Sequence, residues 1–174
     1  LSIARAEAGE QRASWEAFDL AELVQDIHEL YEPLAEERDI VLQAHAPAPV
    51  PVVGNRQMVA QALANLVDNA IKYTPPGGDV TLAATIENDG PAAPMLSVPD
   101  TGPGIPCELR ERPPGRFARL DADRSTPGNG LGLSLVNAVA KLHDAKLELA
   151  DAEPGLKVQM TFQRPLVAAP LTAV

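Results

Sequence analysis

Apolar residues recur at helical spacing in three separate stretches of the chain. In residues 19–37 the apolar positions fall three or four apart, and Asp19 stands at the start as a typical N-cap residue. This spacing predicts an amphipathic helix over 19–37. The same reasoning predicts helices over 55–73 and 131–143.

Shorter apolar runs between the helices predict strands over 12–17, 40–45, 79–87, 94–99, 146–150 and 156–163. A proline-rich loop over 47–51 and a long stretch without a sustained period over 107–128 interrupt them. Pro99 lacks a backbone N–H, so we expect it at a sheet edge or a bulge. This mixture favours an α/β sandwich, with one mixed, mostly antiparallel sheet and three main helices on one face.

The composition fits a single domain and argues against two kinds of partner. The 174 residues are 45% hydrophobic but only 3% aromatic, so Ala, Leu, Val and Ile must build the core. The net charge of −10 argues against nucleic acid or an anionic membrane as a partner, because both bind best to clustered Lys and Arg.

Cys107 is the one cysteine, which fits a reducing compartment. No apolar run reaches the ~18 residues of a membrane span.

The second predicted helix carries a polar stripe. Asn65, Asn69, Lys72 and Tyr73 fall on one face of a helix with 3.6 residues per turn. An amide oxygen is a hard ligand suited to Mg²⁺, and Lys72 is suited to phosphate oxygens. The stripe is therefore a candidate metal and phosphate site, and the alternative is an ordinary solvated helix face.

A lone acid followed by glycines ends the strand over 94–99. The carboxylate of Asp100 is suited to accept a hydrogen bond from an exocyclic amine such as that of adenine. Gly102 and Gly104 would let the backbone approach a flat ring closely. The alternative interpretation is a β-turn after a strand.

A third segment places glycines before the last helix. Gly128, Gly130 and Gly132 expose backbone N–H groups where the helix begins, which is an arrangement suited to anions. The alternative is a flexible loop with a tight helix start. Taken in order, the three segments indicate a nucleotide site.

The order and composition of the three segments resemble the catalytic, ATP-binding domain of sensor histidine kinases. Residues 65–74 resemble the N box of that family, 100–106 the G1 box and 128–133 the G2 box, while 107–128 match its ATP lid. The resemblance covers roughly residues 18–163 and implies a Bergerat-type α/β sandwich with a flexible lid.

The resemblance also implies roles for individual residues and two ligands, ATP and Mg²⁺. Asn69 would bind Mg²⁺, Asn69 and Lys72 would serve catalysis, Asp100 would bind the adenine amine, and the G2 glycines would wrap the phosphates. The implied nucleotide contacts include further residues: Asn65, Tyr73, Gly102, Gly104, Ile105, Arg116, Gly128, Gly130, Leu131, Gly132, Leu133 and Thr161.

One substitution separates phosphotransfer from hydrolysis. Related gyrase-type and chaperone ATPases carry a Glu one helical turn before the metal-binding Asn, and this chain has Asn65 there. An amide cannot accept a proton from water, so we expect transfer of the phosphate rather than hydrolysis. The alternative is a degenerate, non-catalytic module acting through protein contacts, because Pro113, Pro114 and Gly115 stand where the family has an apolar pair and an acid.

The resemblance implies partners outside this chain. We expect 1–12 to be a linker or the end of a dimerisation and phosphoacceptor hairpin, 13–165 the ATP-binding domain, and 166–174 a tail. His28 mimics the phosphoacceptor pattern, but its helix is needed to cover the sheet, so the acceptor is expected upstream of Leu1. The implied partners are that hairpin domain, within a homodimer, and a response regulator. Nucleic acid and membrane contact are not expected, and the domain is expected to be cytoplasmic, with or without a membrane anchor elsewhere.

Overall fold

The computed structural model describes residues 14–105, 107–110 and 132–163. Four helices lie in these ranges: α1 (Leu20–Glu37), α2 (Arg56–Tyr73), α3 (Cys107–Arg110) and α4 (Gly132–Leu142). Seven strands accompany them: β1 (Glu16–Asp19), β2 (Val41–His45), β3 (Pro51–Gly54), β4 (Asp79–Glu87), β5 (Ala93–Pro99), β6 (Ala145–Asp151) and β7 (Leu156–Phe162). The three long helices lie within two residues of their predicted limits. In the described residues, no helix is both long and apolar enough to cross a membrane.

The strands form one large sheet and one small sheet. The large sheet has the order β2-β4-β5-β7-β6, in which β2 pairs with β4 in parallel and the other neighbours are antiparallel. The small sheet pairs β1 with β3, so Glu16 lies opposite Gly54. The predicted mixed, mostly antiparallel sheet is therefore confirmed, while β3 was missed.

Helix caps fix where α1 and α2 begin. Asp19 Oδ1 accepts hydrogen bonds from the backbone N–H groups of Ala21 at 2.8 Å and Val50 at 2.7 Å. Asn55 Oδ1 accepts from the N–H of Met58 at 3.1 Å. Each side chain satisfies a helical N–H that has no partner within the helix. The predicted N-cap at Asp19 is thereby confirmed.

One apolar core lies between the large sheet and the three long helices. Leu20 and Leu23 of α1 are fully buried, as are Val67 of α2 and Val136 of α4. Along β7, the residues from Leu156 to Phe162 alternate between buried and half-buried, so one side faces the helices. This two-layer arrangement is the predicted α/β sandwich.

Pro99 does not lie at a sheet edge. It ends β5, which is the central strand, so the expected edge position is wrong. The β4–β5 pairing runs from Glu87↔Ala93 to Ala83↔Ser97 and resumes as an isolated bridge between Val80 and Asp100. The interruption includes Pro99, because proline cannot donate to the ladder.

His28, which was not expected to be the phosphoacceptor, makes a hydrogen bond within the fold. Its Nε2 lies 3.0 Å from the carbonyl oxygen of Leu42, so the ring donates to a strand of the sheet. The contact joins α1 to β2. His28 therefore helps to hold the helix that covers the sheet.

Candidate nucleotide site

Residues from the three sequence segments line one pocket. Asn69 from α2, Asp100 after β5 and Leu133 from the start of α4 contribute to its wall. The rest of the lining is apolar: Leu66, Ala70, Val98, Leu156 and Val158. A concave apolar surface with a few converging polar groups is the usual form of a small-molecule site.

The α2 stripe lies beside this pocket. Asn65, Asn69, Lys72 and Tyr73 are half-buried, whereas Leu66 and Val67 between them are buried. The helix therefore buries its apolar side in the core and leaves the polar side open to a ligand. Asn69 is the stripe residue that lines the pocket.

Backbone N–H groups orient the Asp100 carboxylate. Oδ1 accepts from Gly102 N at 2.9 Å and from Leu156 N at 3.2 Å, while Asp100 N donates to the Leu156 carbonyl at 2.9 Å. The residue is only 9% exposed. These three hydrogen bonds hold Asp100 at a fixed position on the pocket wall.

Glycines let the β6–β7 turn close against Asp100. A Cβ at Gly155 would lie 1.8 Å from the carbonyl oxygen of Asp100, and Gly155 has a φ of +104°. Gly104 has a φ of +72°, and its Cβ would lie 3.1 Å from the Gly155 carbonyl oxygen. Gly104 was expected to admit a flat ring; in the structure it lies against the backbone of Gly155, and its role toward a nucleotide stays a prediction. Gly155 was missed, and its one sequence cue is the Pro154-Gly155 turn pair.

Lys72 forms an ion pair that was not predicted from the sequence. Its Nζ lies 3.0 Å from Asp68 Oδ2, one helical turn earlier, and both side chains are a little over a quarter exposed. The spacing of four residues was the available cue. Asp68 also affects Tyr31 of α1: burial raises the pKa of that phenol, and the negative charge of Asp68 raises it further.

Thr101 bonds the Asp100 turn to β4, and the end of α2 at Tyr73 lies close to the same turn. A Cβ at Gly102 would lie 3.0 Å from the Tyr73 carbonyl oxygen, so the end of α2 approaches this turn closely. Thr101 Oγ1 accepts from Asp79 N at 2.9 Å, and Thr101 N donates to the Asp79 carbonyl at 3.0 Å. The turn is thereby fixed between α2 and β4.

The remaining predicted site residues fall into three groups. Ile105 is partly buried against the core. Thr161 lies on β7 at an odd spacing from Leu156 and Val158, so it faces the other side of the sheet and is not brought to the pocket. Gly132 opens α4. Several predicted positions lie outside the described residues: Arg116, Gly128, Gly130 and Leu131, together with Pro113, Pro114 and Gly115 of the predicted lid.

The donor set of the pocket fits Mg²⁺ held largely by a nucleotide. No cluster of three or more His, Cys, Asp or Glu side chains suited to a metal occurs in the described ranges. Asn69 supplies a hard amide oxygen at the pocket wall. Mg²⁺ usually takes one or two protein ligands with substrate phosphates and water, so a single amide is compatible with it.

Comparisons with known proteins agree with this geometry. Residues 54–166 match the family described as histidine kinase-, DNA gyrase B- and HSP90-like ATPase. The chain is 39% identical over 137 residues to the adaptive-response sensory kinase SasA of Crocosphaera subtropica, covering 78% of this chain and 35% of that one. The chain spans about a third of the length of the curated SasA kinases that it matches.

Solved structures show the same fold. The mycobacterial sensor histidine kinase MprB is 31% identical, with a TM-score of 0.69 over 84% of this chain and 95% of that one. The histidine kinase ThkA, solved with the response regulator TrrA, is 26% identical, with a TM-score of 0.67 over 85% and 41%. The chain belongs to the histidine kinase-, DNA gyrase B- and HSP90-like ATPase family, and it is an ATPase domain of the sensor histidine kinase type.

Proposed function

We propose that this chain binds Mg·ATP and presents the γ-phosphate to a histidine on a separate dimerisation domain of a longer protein. The observation that supports this most directly is the meeting of Asn69, Asp100 and Leu133 in one pocket. Three segments that are distant in sequence would have little reason to converge there in a merely solvated surface. Positioning and electrostatics would carry the catalysis, as they do in phosphoryl transfer generally.

Asp100 is the proposed adenine-recognition residue. Two backbone N–H groups fix Oδ1, so the carboxylate loses little conformational freedom when it accepts a hydrogen bond from the exocyclic amine. Leu66, Val98 and Leu133 supply the apolar surface for the ring. The carboxylate sets the preference for an amine-bearing base.

Asn69 and Lys72 are the proposed catalytic residues at the phosphate end. Asn69 would ligate Mg²⁺, and when bound, this ion offsets the charge of the phosphates. Lys72 lies one turn beyond Asn69 and would exchange its Asp68 partner for a phosphate oxygen. The G2 glycines are proposed to donate backbone N–H groups to the phosphates at the start of α4.

Asn65 supports transfer over hydrolysis. It precedes Asn69 by one helical turn, at the position where the resemblance to gyrase-type ATPases implies a Glu as general base. A neutral amide offers no base, so the γ-phosphate is kept for an acceptor. We therefore propose kinase activity rather than ATP turnover by the chain alone.

The proposed partners belong to the full-length protein. We propose that residues 1–12 continue into the dimerisation and phosphoacceptor domain of a homodimer, that 13–165 form the ATP-binding unit, and that 166–174 are a tail. The ThkA structure includes a response regulator, which supports such a partner here. The degenerate module has no observation in its favour, since its motivating residues lie outside the described ranges.

Titration with a fluorescent ATP analogue, with and without Mg²⁺, tests the site. Asn69→Ala should remove the Mg²⁺-dependent part of the affinity, and Asp100→Asn should weaken binding in both conditions. Asn88→Ala is the matched control, because Asn88 is exposed and bonds the nearby Ile86 carbonyl. Unchanged affinity in both site variants would overturn the assignment.

A second experiment tests the transfer itself. The chain is mixed with labelled ATP and an intact phosphoacceptor hairpin from a sensor kinase. Label on the histidine of the hairpin supports the kinase. Binding of ATP with no transfer to any hairpin tested would favour the degenerate module, and steady ATP turnover by the chain alone would favour a hydrolase.

A further inference from the structure

His143, directly after α4, lies in an aromatic cage away from the nucleotide pocket. The Trp15 ring stacks on it in parallel, with centroids 5.2 Å apart, and the Phe162 ring meets it edge-on at 6.2 Å. His143 is only 7% exposed. The pocket-lining residues do not include these three rings.

Both ring nitrogens of His143 have backbone partners that define its protonation state. Nδ1 lies 2.8 Å from the Val139 carbonyl oxygen, so it carries the proton and donates. Nε2 accepts from the backbone N–H of Asn55 at 3.0 Å, so it must be bare. The observed geometry therefore requires the neutral ring.

The fit around Nε2 is tight. A Cβ at Gly54 would lie 2.5 Å from Cδ2 and 2.7 Å from Nε2 of His143. Glycine is thus required where β3 ends for the imidazole to reach Asn55. The close approach places Nε2 against the Asn55 amide.

The cage joins the start of the described chain to three other elements. Trp15 immediately precedes β1, Asn55 caps α2, and Phe162 ends β7. Asn55 Nδ2 also donates to Ser14 Oγ at 2.8 Å. Through His143 and Asn55, the segment at residues 14 and 15 is tied to the C-terminal end of α4.

Protonation would oppose this arrangement. A proton on Nε2 would point at the Asn55 N–H, so two donors would face each other and that hydrogen bond would be lost. A charged ring would gain attraction to the Trp15 face but would lose hydration. Burial is the largest effect and lowers the pKa of His143, although the Val139 carbonyl and the Asp144 charge raise it in part.

Several groups face the ring from the elements packed against it. They are the Trp15 indole before β1, the Asn55 amide at α2, the Phe162 ring of β7, and Val139 and Asp144 on its own side. Asp144 is the ionisable group whose charge acts on His143.

We propose that His143 is a pH-dependent clamp, whose neutral ring holds the segment at Trp15 against the end of α4 and whose protonation releases that segment. The inference stands without the proposed nucleotide function, because its groups lie outside the pocket. Trp15 immediately precedes β1. The clamp would therefore set how firmly the start of β1 is held against the end of α4.

The protein carries its own reporter for this clamp. Trp15 is the one tryptophan in the sequence, so tryptophan emission comes from the ring stacked on His143. Emission of the full chain is recorded from pH 7.5 to 5.0. We expect one transition with a midpoint below about pH 6.5, the ordinary pKa of histidine.

His143→Gln is the test variant. Its amide oxygen can accept near the position of Nε2 but cannot take up a proton in this range. We expect the emission transition to disappear. His28→Gln and His45→Gln are matched controls, since these complete the three histidines of the chain, and both should keep the wild-type curve. A transition that survives in His143→Gln, or no transition in the wild type, would overturn the clamp.

A second measurement covers the case in which the variant does not fold. In the wild-type protein, NMR follows the His143 ring and the exchange of the Asn55 amide over the same pH range. Both should change with one midpoint, because the same hydrogen bond is lost. An Asn55 amide whose exchange protection does not follow the ring would contradict the proposal. Nucleotide binding measured at pH 7.5 separately tests the proposed function.

Discussion

Asp100 and Leu156 are joined by two hydrogen bonds that run in opposite directions. The amide of Asp100 donates to the Leu156 carbonyl at 2.9 Å, and the amide of Leu156 donates to Asp100 Oδ1 at 3.2 Å. The carboxylate proposed to recognise adenine is therefore also part of the β5–β7 connection. Variants at this position must separate a structural role from a binding role.

Asp100→Ala and Asp100→Asn should make that separation. Alanine leaves the buried N–H groups of Gly102 and Leu156 without their acceptor, so we expect a loss of about 1–3 kcal/mol in the free energy of unfolding. Asparagine keeps an acceptor oxygen and should lose less stability. It removes the charge-assisted bond to adenine, so ATP affinity should fall roughly ten-fold or more. Urea denaturation and nucleotide titration check the two effects; equal stability losses in both variants would contradict the structural role.

Gly155→Ala should be far more damaging than Gly77→Ala. Both glycines have positive φ, at +104° and +86°, so each alanine should cost about 1–2 kcal/mol through backbone strain. A Cβ at Gly155 also meets the Asp100 carbonyl at 1.8 Å, whereas one at Gly77 meets nothing within 4 Å. We expect Gly155→Ala to exceed the control by about 2 kcal/mol or more. Thermal denaturation of the pair measures the difference, and similar melting temperatures would count against the close contact.

Lys72→Gln should lower the affinity for nucleotides that carry phosphates and leave the affinity for adenosine unchanged. If Lys72 leaves Asp68 for a phosphate oxygen, ATP and ADP should lose affinity several-fold and adenosine should lose none. Asp68→Asn should cost no more than about 0.5 kcal/mol of stability, since a partly exposed helical pair is weak. It should leave ATP affinity unchanged or higher. If Lys72→Gln lost equal affinity for adenosine and for ATP, Lys72 would not be a phosphate contact.

Tyr31 should titrate late in alkaline solution. Burial and the Asp68 charge both raise its pKa above 10.0, so the neutral phenol is favoured in the folded protein. The stability from this neutral form is present below pH 10 and is lost as the pH rises through the folded pKa. Ultraviolet absorbance of Tyr73→Phe, which leaves Tyr31 as the one tyrosine, measures that pKa. Adding Asp68→Asn should lower it; an unchanged value would show that Asp68 does not act on Tyr31.

The sequence predicted the features that arise from short spacings. Helical periodicity and the Asp19 cap located α1 and α2 closely, because both effects act within a few residues. Asn69, Asp100 and Leu133 were predicted for the site, and the structure places all three on one pocket.

The features that were not predicted depend on contacts between residues that are distant in sequence. The strand β3 has four residues, begins at Pro51, and gains its pairing from β1 more than thirty residues earlier. Glycine is needed at position 155 because a Cβ there would collide with the Asp100 carbonyl oxygen. Asp100 lies fifty-six residues before Leu156, the residue that follows Gly155. Thr161, which was predicted to contact the nucleotide, lies on the other face of β7 from the pocket lining, because strand parity decides which face a side chain occupies.

Near the nucleotide site, the central strand β5 pairs differently with its two neighbours, and Pro99 lies where the difference begins. Toward β7 the pairing continues through Pro99↔Lys157, and Asp100 then bonds Leu156 directly. Toward β4 the regular pairing stops at Ser97, and the Val80–Asp100 bridge stands apart from it. Any movement of the β6–β7 hairpin therefore carries the carboxylate with it, because Leu156 bonds both the backbone and the side chain of Asp100, while Thr101 joins the same turn to β4.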